Sequence, residues 1–191
     1  MSSLLHLAST SPRRREILET LGIEFDVILV ETDESPLEGE KPDEMVLRLA
    51  TAKADAATHG DFILAADTVV VLGDRVLGKP RDADDAVEML LALSGRSHAV
   101  MTGVALKTPA GTKAVLSTTD VQFRQIGPDE AYRYWQSGEP SDKAGAYGIQ
   151  GLGGMFVENI VGSYSGVMGL PVFETVELLV SAGLDVLVDQ K

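Results

Sequence analysis

The stretch from Phe62 to Arg81, FILAADTVVVLGDRVLGKPR, decides the predicted fold. An apolar run, a Gly73-Asp74 turn and a shorter apolar run predict a two-stranded hairpin. Asp67 places a carboxylate in the middle of the first strand, where a charge is costly unless a cation, a metal ion or a chemical role accounts for it. Asp67 could instead be a sheet-end or turn residue bonded to nearby backbone N–H groups, and its position alone does not decide.

The segment that opens the chain has an unusual helix start. A short apolar run over residues 4–8 predicts a strand, and a Ser/Thr loop from Ser9 to Ser11 then leads into a helix. Ser11 fits the N-cap and Pro12 the first helical position, so Arg13, Arg14 and Arg15 fall in the first turn. Cations are unfavourable at this end of a helix, which favours a bound anion such as phosphate, although a solvated basic turn is the alternative.

Other polar candidates follow along the chain. An acidic loop containing Glu34 follows a strand predicted over residues 25–30, and Lys53 lies on a helix predicted from Asp43 to about His59. Such loops are mostly solvated, and such lysines are ordinarily surface charges. The hairpin ends in Lys79-Pro80-Arg81. A glycine-rich segment over residues 141–166, predicted as a loop, contains Lys143 and Gln150.

The remaining elements alternate between helices and strands. Asp82 predicts an N-cap, strands are predicted over residues 97–107 and 114–124, and helices are predicted to begin at Gly127-Pro128 and near Met168. This interleaving predicts an α/β fold with a mixed sheet. No internal repeat or linker divides the chain, so residues 1–191 are expected to form one structural unit.

The amino-acid composition argues against several classes of function. The 191 residues carry a formal net charge of −13, which disfavours general binding to nucleic acids or anionic membranes. There is no cysteine, and the three histidines are isolated rather than spaced as metal ligands. No leader segment and no apolar run of membrane length is evident, so a cytoplasmic protein is expected. A phosphate ligand would need a local basic pocket.

The candidate residues together indicate phosphate chemistry. The helix-start arginines, Asp67, the Glu34 loop and the lysines could bind a polyphosphate and a divalent metal, with a carboxylate that activates water. No Ser–His pairing is evident in the sequence, so direct attack by water is preferred to a covalent route.

Four segments carry a resemblance to a known family. They are LASTSPRRREIL at 7–18, AADTVVVLGDRVLGKPRDADDAVEML at 65–90, LSGRSHAVMTGVAL at 93–106 and EPSDKAGAYGIQGLGGMFVENIVGSYSGVMGLP at 139–171. In this order they resemble the Maf family of nucleoside triphosphate pyrophosphatases. The resemblance implies an elongated mixed β-sheet flanked by helices, with two lobes and a cleft between them, akin to the inosine triphosphate pyrophosphatases. It further implies one two-lobed domain over residues 1–191, a divalent cation (Mg²⁺ or Mn²⁺) and a homodimer.

The resemblance also implies roles for individual residues. Asp67 matches the proton acceptor that activates water, and Glu34 and Asp67 match residues at the metal. The positions matching the phosphate site are Ser9, Ser11, Arg13, Arg14, Lys53, Lys79 and Lys143.

Three positions bear on the choice of base. Arg13, Thr68 and Gln150 match the dTTP/UTP pyrophosphatase branch, whereas the 7-methyl-GTP branch tends to have Trp, Gln and Glu there. The amide of Gln150 both donates and accepts, which suits the O4 and N3–H of uracil or thymine. The expected function is therefore hydrolysis of dTTP and UTP, and of modified pyrimidine triphosphates, to the monophosphate and diphosphate. Two alternatives stay open: a pyrophosphatase for 7-methyl-GTP or another purine triphosphate, and a non-catalytic nucleotide-binding regulator of cell division.

Overall fold

The computed structural model describes residues 5–187. The strands of the described chain are β1 (Leu5–Leu7), β2 (Phe25–Val27), β3 (Phe62–Leu72), β4 (Arg75–Leu77), β5 (Ser97–Thr108), β6 (Gly111–Phe123) and β7 (Val157–Val161). The α-helices are α1 (Pro12–Thr20), α2 (Pro42–Asp55), α3 (Ala83–Leu93), α4 (Pro128–Gln136), α5 (Tyr164–Met168) and α6 (Val172–Ser181). Short 3₁₀ helices cover Glu139–Asp142, Ala144–Ala146 and Leu152–Phe156. No helix in residues 5–187 is both long and apolar enough to cross a membrane.

The strands form one mixed sheet. Its order is β2-β1-β3-β5-β6-β7, with β4 paired to β3 outside this path. β1 is parallel to both β2 and β3, whereas the β3–β4 and β6–β7 pairs are antiparallel. The predicted α/β class with a mixed sheet is confirmed.

The hairpin predicted from Phe62 to Arg81 is present. Val70 pairs with Leu77 and Leu72 with Arg75, and Gly73 adopts the positive φ of 61° that the tight turn requires. Asp67 is the sixth of the eleven residues of β3, and the core side chains around it are buried. The apolar strand β3 therefore has a carboxylate at its centre, as predicted.

The first βα unit also follows the prediction. Ser11 is the N-cap of α1 and Pro12 its first residue, so the three arginines lie in the first turn. The next two elements are shorter than predicted. β2 ends at Val27, although the Ile28 N–H still donates to the Leu7 carbonyl at 3.0 Å, and α2 ends at Asp55 rather than near His59.

The glycine-rich segment is more regular than predicted. Instead of one loop it contains 3₁₀ turns, the strand β7 and the short helix α5. β7 is held by antiparallel pairing with β6, in which Val121 faces Ile160 and Asp120 faces Val161. Since this pairing joins residues about forty positions apart, local glycine content could not reveal it.

The chain divides into two compact units, each with its own core. Within the described residues, the first unit contains residues 5–67, 102–117 and 169–187, and the second contains residues 68–101 and 118–168. Small side chains dominate a core cluster of the first unit, and α2 packs so closely on β5 that a Cβ at Gly103 would lie 2.4 Å from the Val46 carbonyl oxygen. Aromatic rings mark the second core, where Phe123 contacts Tyr147 and Phe156. The expectation of a single domain stays a prediction.

Candidate functional site

The carboxylate of Asp67 is paired with a lysine. Asp67 is 8% exposed in the middle of β3, and its Oδ1 accepts a hydrogen bond from Nζ of Lys53 at 2.7 Å. Lys53 lies in the last turn of α2, which packs against the sheet of the first unit. The ammonium group compensates the buried charge, which would otherwise be strongly destabilising.

The same ammonium group contacts a second carboxylate. Oε1 of Glu34 lies 2.7 Å from Nζ of Lys53, and the Glu34 side chain is 57% exposed. Glu34 belongs to the acidic loop between β2 and α2. Lys53 therefore joins a strand carboxylate to a loop carboxylate, so that three predicted site residues are in direct contact.

The acidic loop is fastened to α2 by an arginine. Arg48 donates to both carboxylate oxygens of Glu40, from Nε at 2.5 Å and from Nη2 at 2.7 Å, and also to the Ser35 carbonyl at 3.2 Å. Hydrogen bonding to Glu40 raises the pKa of Arg48, and the charge of Asp67 acts in the same direction. Arg48 thus lies within electrostatic reach of the site and holds the loop that carries Glu34.

The start of α1 contributes a second cation. Arg14 donates from Nε to the Gly169 carbonyl at 2.8 Å and from Nη1 to Oγ of Ser9 at 3.2 Å. Burial lowers the pKa of Arg14 to about 10, while the charges of Asp67 and Glu34 act to raise it. Arg14 therefore remains protonated at neutral pH and interacts electrostatically with both carboxylates.

The serine loop and Arg13 surround this start. The Ser11 N–H donates to Oγ of Ser9 at 3.2 Å, and Arg13 is partly buried in the first turn of α1. The charge of Arg13 lowers the pKa of Arg14, as expected for a neighbouring cation. Ser9, Arg14, Glu34, Lys53 and Asp67 thus form one cluster in the first unit. The assignment of phosphate contacts to Ser9, Ser11, Arg13 and Arg14 stays a prediction.

The remaining predicted residues belong to the second unit. Lys143 donates from Nζ to Oδ1 of Asp142 at 2.7 Å and to the Glu139 carbonyl at 2.6 Å. Lys79 and Gln150 are exposed, and Thr68 is partly buried on β3. Their contact with a substrate stays a prediction.

Glu139 organises the loop that carries Gln150. Its Oε1 accepts hydrogen bonds from the Tyr134 hydroxyl at 2.6 Å and the Gly153 N–H at 3.0 Å, and its Oε2 accepts from the Leu152 N–H at 2.8 Å. Burial raises the pKa of Glu139, but these hydrogen bonds and the charge of Lys143 outweigh it, and the net pKa is lowered. Glu139 is therefore an ionised anchor for the backbone on the C-terminal side of Gln150.

A separate depression lies between α3 and α4 in the second unit. Its volume is about 470 Å³, and its lining residues are Asp84, Val87, Glu88, Leu91, Pro128, Asp129 and Tyr132. The three carboxylates disfavour a polyphosphate, and none of the predicted site residues lines this depression.

Comparison with protein families identifies the chain. Residues 4–182 match the family model described as Maf-like protein. The chain belongs to the Maf family. The predicted family is therefore confirmed, and the match covers both units of the structure.

Several Maf relatives are similar over nearly their entire length. A protein from Saccharophagus degradans named dTTP/UTP pyrophosphatase is 52% identical over 185 residues, which cover 93% of this chain and 88% of the relative. Proteins of the same name from Cupriavidus metallidurans and Vibrio parahaemolyticus are each 50% identical, covering 96% and 92% of this chain and 99% and 95% of the relatives. The solved structure of the Staphylococcus aureus Ham1 protein aligns with 62% of this chain and 71% of its own, with a TM-score of 0.41 and 18% identity.

Two residues of this Maf protein were missing from the predicted site. Arg48 is one of several charged residues on α2, and nothing in the sequence links it to Glu40 eight positions earlier. Glu139 immediately precedes a proline and a turn, which is typical of a solvated loop residue. The only available signal for Glu139 was its position at the start of the long family motif over 139–171.

Proposed function

We propose that this Maf family member hydrolyses dTTP and UTP, and modified pyrimidine triphosphates, to the monophosphate and diphosphate. The observation that carries the proposed chemistry is the buried carboxylate of Asp67, which accepts a hydrogen bond from Lys53 beside Glu34. The similarity of about 50% to relatives named dTTP/UTP pyrophosphatase supports the proposed substrates.

In the proposed reaction Asp67 is the general base. Its carboxylate accepts a proton from water, and the water oxygen forms a bond to phosphorus as the α–β phosphoanhydride bond breaks and diphosphate leaves. The Lys53 ammonium group, 2.7 Å from Oδ1, holds this carboxylate in place through a charge-assisted hydrogen bond.

The proposed phosphate contacts come from the start of α1 and from lysines. The N–H groups at the helix start and the arginine guanidinium groups attract phosphate oxygens, and the loop hydroxyl groups can donate to them. The proposed set is Ser9, Ser11, Arg13, Arg14, Lys53, Lys79 and Lys143. The inclusion of Lys79 and Lys143 rests on the family resemblance.

A divalent cation, Mg²⁺ or Mn²⁺, is part of the proposal. Glu34 and Asp67 would hold it, because their oxygens already contact the same ammonium group and hard cations prefer oxygen ligands. In the described part of the chain no group of three or more His, Cys, Asp or Glu side chains could hold a metal. Two carboxylates fit a magnesium-type site that substrate phosphates and water complete. When bound, such an ion neutralises charge on the phosphate oxygens.

Base selection is assigned to Arg13, Thr68 and Gln150. A side-chain amide such as that of Gln150 can donate to the O4 of uracil or thymine and accept from N3–H, whereas a carboxylate would suit the donor edge of guanine. The exposure of Gln150 leaves its amide available for such contacts. A Gln150→Glu variant should therefore lose preference for pyrimidines.

The test is diphosphate release from dTTP, UTP and 7-methyl-GTP with Mg²⁺ or Mn²⁺. We expect release from both pyrimidine nucleotides, and Asp67→Asn should lower kcat by at least about a hundredfold with nucleotide binding largely retained. Asp55→Asn is the matched control, because Asp55 lies on α2 and bonds to Thr112. If neither pyrimidine nucleotide is cleaved, the proposal is wrong.

Nucleotide preference in this assay and the cellular effect of the Asp67→Asn variant separate the two alternatives. Cleavage of 7-methyl-GTP in preference to dTTP would favour a purine pyrophosphatase. A cellular effect on division that persists in Asp67→Asn would favour a nucleotide-binding regulator. A homodimer and a cytoplasmic location complete the proposal, and light scattering after size exclusion measures the oligomeric state.

A further inference from the structure

The carboxylate of Glu139 lies where side chains of the glycine-rich loop would otherwise be. A Cβ added to Gly151 would lie 2.2 Å from Oε2 of Glu139, and one added to Gly153 would lie 2.5 Å from the Tyr134 hydroxyl oxygen. Both distances are too short for real atoms, so the loop backbone is packed directly against this pair.

The Tyr134 hydroxyl extends the anchor to the other side of the loop. It donates to Glu139 at 2.6 Å and accepts from the Gly148 N–H at 3.0 Å. The ring of Tyr134 is fixed against Phe156 with centroids 5.0 Å apart, and the Tyr134 side chain is buried. Burial, followed by the hydrogen bond to Glu139, raises the pKa of Tyr134, so the hydroxyl remains a donor at physiological pH.

These bonds bracket Gln150. Gly148 lies before Gln150 and Leu152 and Gly153 lie after it, while the neighbouring Ile149 is buried. Gln150 itself is exposed on a backbone fixed from both sides. A short segment held in this way presents its one long polar side chain in a restricted set of positions.

We propose that Glu139 is a positioning residue for base recognition, which it serves by fixing the loop that presents Gln150. The inference rests on the proposed function, because it assigns Glu139 to the selection of pyrimidine nucleotides. Glu139 has no contact with the substrate in this proposal and acts through the backbone of residues 148–153.

The test uses Glu139→Gln, which keeps the shape of the side chain. Its oxygen can still accept from Tyr134 and Gly153, but its NH₂ group would face the Leu152 N–H, so two donors would oppose each other. We expect amide exchange at Leu152 and Gly153 to accelerate about tenfold. We also expect KM for dTTP and UTP to rise about tenfold with kcat within about twofold, because base contacts contribute equally to ground-state and transition-state binding.

Two further variants sharpen the test. Tyr134→Phe keeps the ring but removes the hydroxyl, and it should change exchange and KM in the same direction; its effect should be non-additive with that of Glu139→Gln. Glu88→Gln is the matched control, since it breaks an exposed ion pair with Arg75 in the same unit and should change neither quantity.

The outcomes distinguish this inference from the proposed function. If wild type cleaves pyrimidine nucleotides and Glu139→Gln leaves KM unchanged, the inference is wrong, whether or not exchange accelerates. Unchanged exchange in both loop variants would also overturn it. Failure of the wild type to cleave dTTP or UTP would instead overturn the proposed function. If Glu139→Gln does not fold, Tyr134→Phe decides by the same criteria.

Discussion

At the residue scale, the positive charge of Lys53 allows the carboxylates of Asp67 and Glu34 to lie close together. The Lys53 and Asp67 side chains are 13% and 12% exposed, and Glu34 approaches the same ammonium group from the loop. A buried ion pair is weak evidence for net stability, yet the loss of one partner leaves an uncompensated charge. The arrangement therefore makes Lys53 important for folding as well as for the proposed chemistry.

Replacement of Lys53 by methionine should lower the free energy of unfolding by about 3 kcal/mol, because Asp67 would keep a buried charge beside Glu34 without a cation. Urea unfolding at pH 7 measures this change. The double variant Lys53→Met/Asp67→Asn should recover much of the loss, since it removes the buried charge. Equal stabilities of the single and double variants would contradict this account.

His98 should make the stability of the protein depend on pH. Burial lowers the pKa of His98 to about 4, from an ordinary value of 6.5. The folded protein therefore holds the neutral ring, and its Nε2 lies 2.9 Å from the Tyr147 hydroxyl oxygen. The unfolded chain takes up the proton first as the pH falls.

The contribution of neutral His98 to the free energy of unfolding should therefore be fully present above pH 6.5. The free energy of unfolding should then decrease by up to about 3 kcal/mol as the pH falls to about 4. Urea unfolding between pH 7 and about 5 isolates this contribution, because carboxylates with lowered pKa values, such as Glu40 and Glu130, lose their contributions only below about pH 4.5. His98→Gln, which does not titrate, should show a flatter profile. Parallel profiles for the two proteins would contradict the prediction.

At the scale of elements, the acidic loop depends on α2 for its shape. Arg48 lies on α2, the helix that also contains Lys53, and it bonds to two points of the loop, Glu40 and the Ser35 carbonyl. Bidentate pairs of this kind fix geometry as well as charge. The position of Glu34 is therefore coupled to α2.

Glu40→Gln should loosen this loop, because the amide removes one acceptor and the negative charge. We expect faster amide exchange over residues 33–40 and a several-fold loss of diphosphate release, which should be smaller than the loss in Asp67→Asn. Glu130→Gln disrupts a comparable bidentate pair with Arg124 in the second unit and serves as the control. Equal exchange rates over this loop in wild type and Glu40→Gln would contradict the prediction.

Local signals in the sequence were sufficient for some elements. Ser11-Pro12 and Asp82 mark helix starts correctly, because proline suits the first helical position and the Asp82 side chain accepts from the Asp85 N–H. The Gly73-Asp74 turn gives the hairpin, because turn chemistry acts over a few residues. β7 and the Glu139 anchor were not predicted because their partners are distant in sequence or are backbone N–H groups. The contact of Lys53 with Asp67 was also unforeseen; both residues were candidates, but only the fold shows that they pair.

At the scale of the whole molecule, neither compact unit is formed by one continuous segment of the chain. Among the described residues, the first unit combines residues 5–67 and 169–187 with residues 102–117, and the second unit contains the two segments between them. β3, β5 and β6 each contribute residues to both units. Composition and local pattern contain no information on this division, since it arises from contacts between remote segments.

The net charge of −13 implies repulsion within the folded protein. The melting temperature at pH 7 should therefore rise by a few degrees between about 20 mM and about 300 mM NaCl, as salt screens this repulsion. Differential scanning calorimetry measures the change. Replacement of Asp84, Glu88 and Asp129 by lysine should reduce the salt response, because these exposed acids lie around one depression. A melting temperature that falls with salt would contradict the prediction.

The packing of the glycine-rich loop on Glu139 and Tyr134 limits how this protein can be redesigned. A library intended to change nucleotide preference has room at Gln150, whose side chain is exposed. Any larger residue at Gly151 or Gly153 would collide with the anchor, and one at Gly148 would meet the Lys143 side chain at 2.7 Å. Diversity introduced at these three glycines would displace the side chains that hold the loop, whereas diversity at Gln150 would sample new specificities on an intact scaffold.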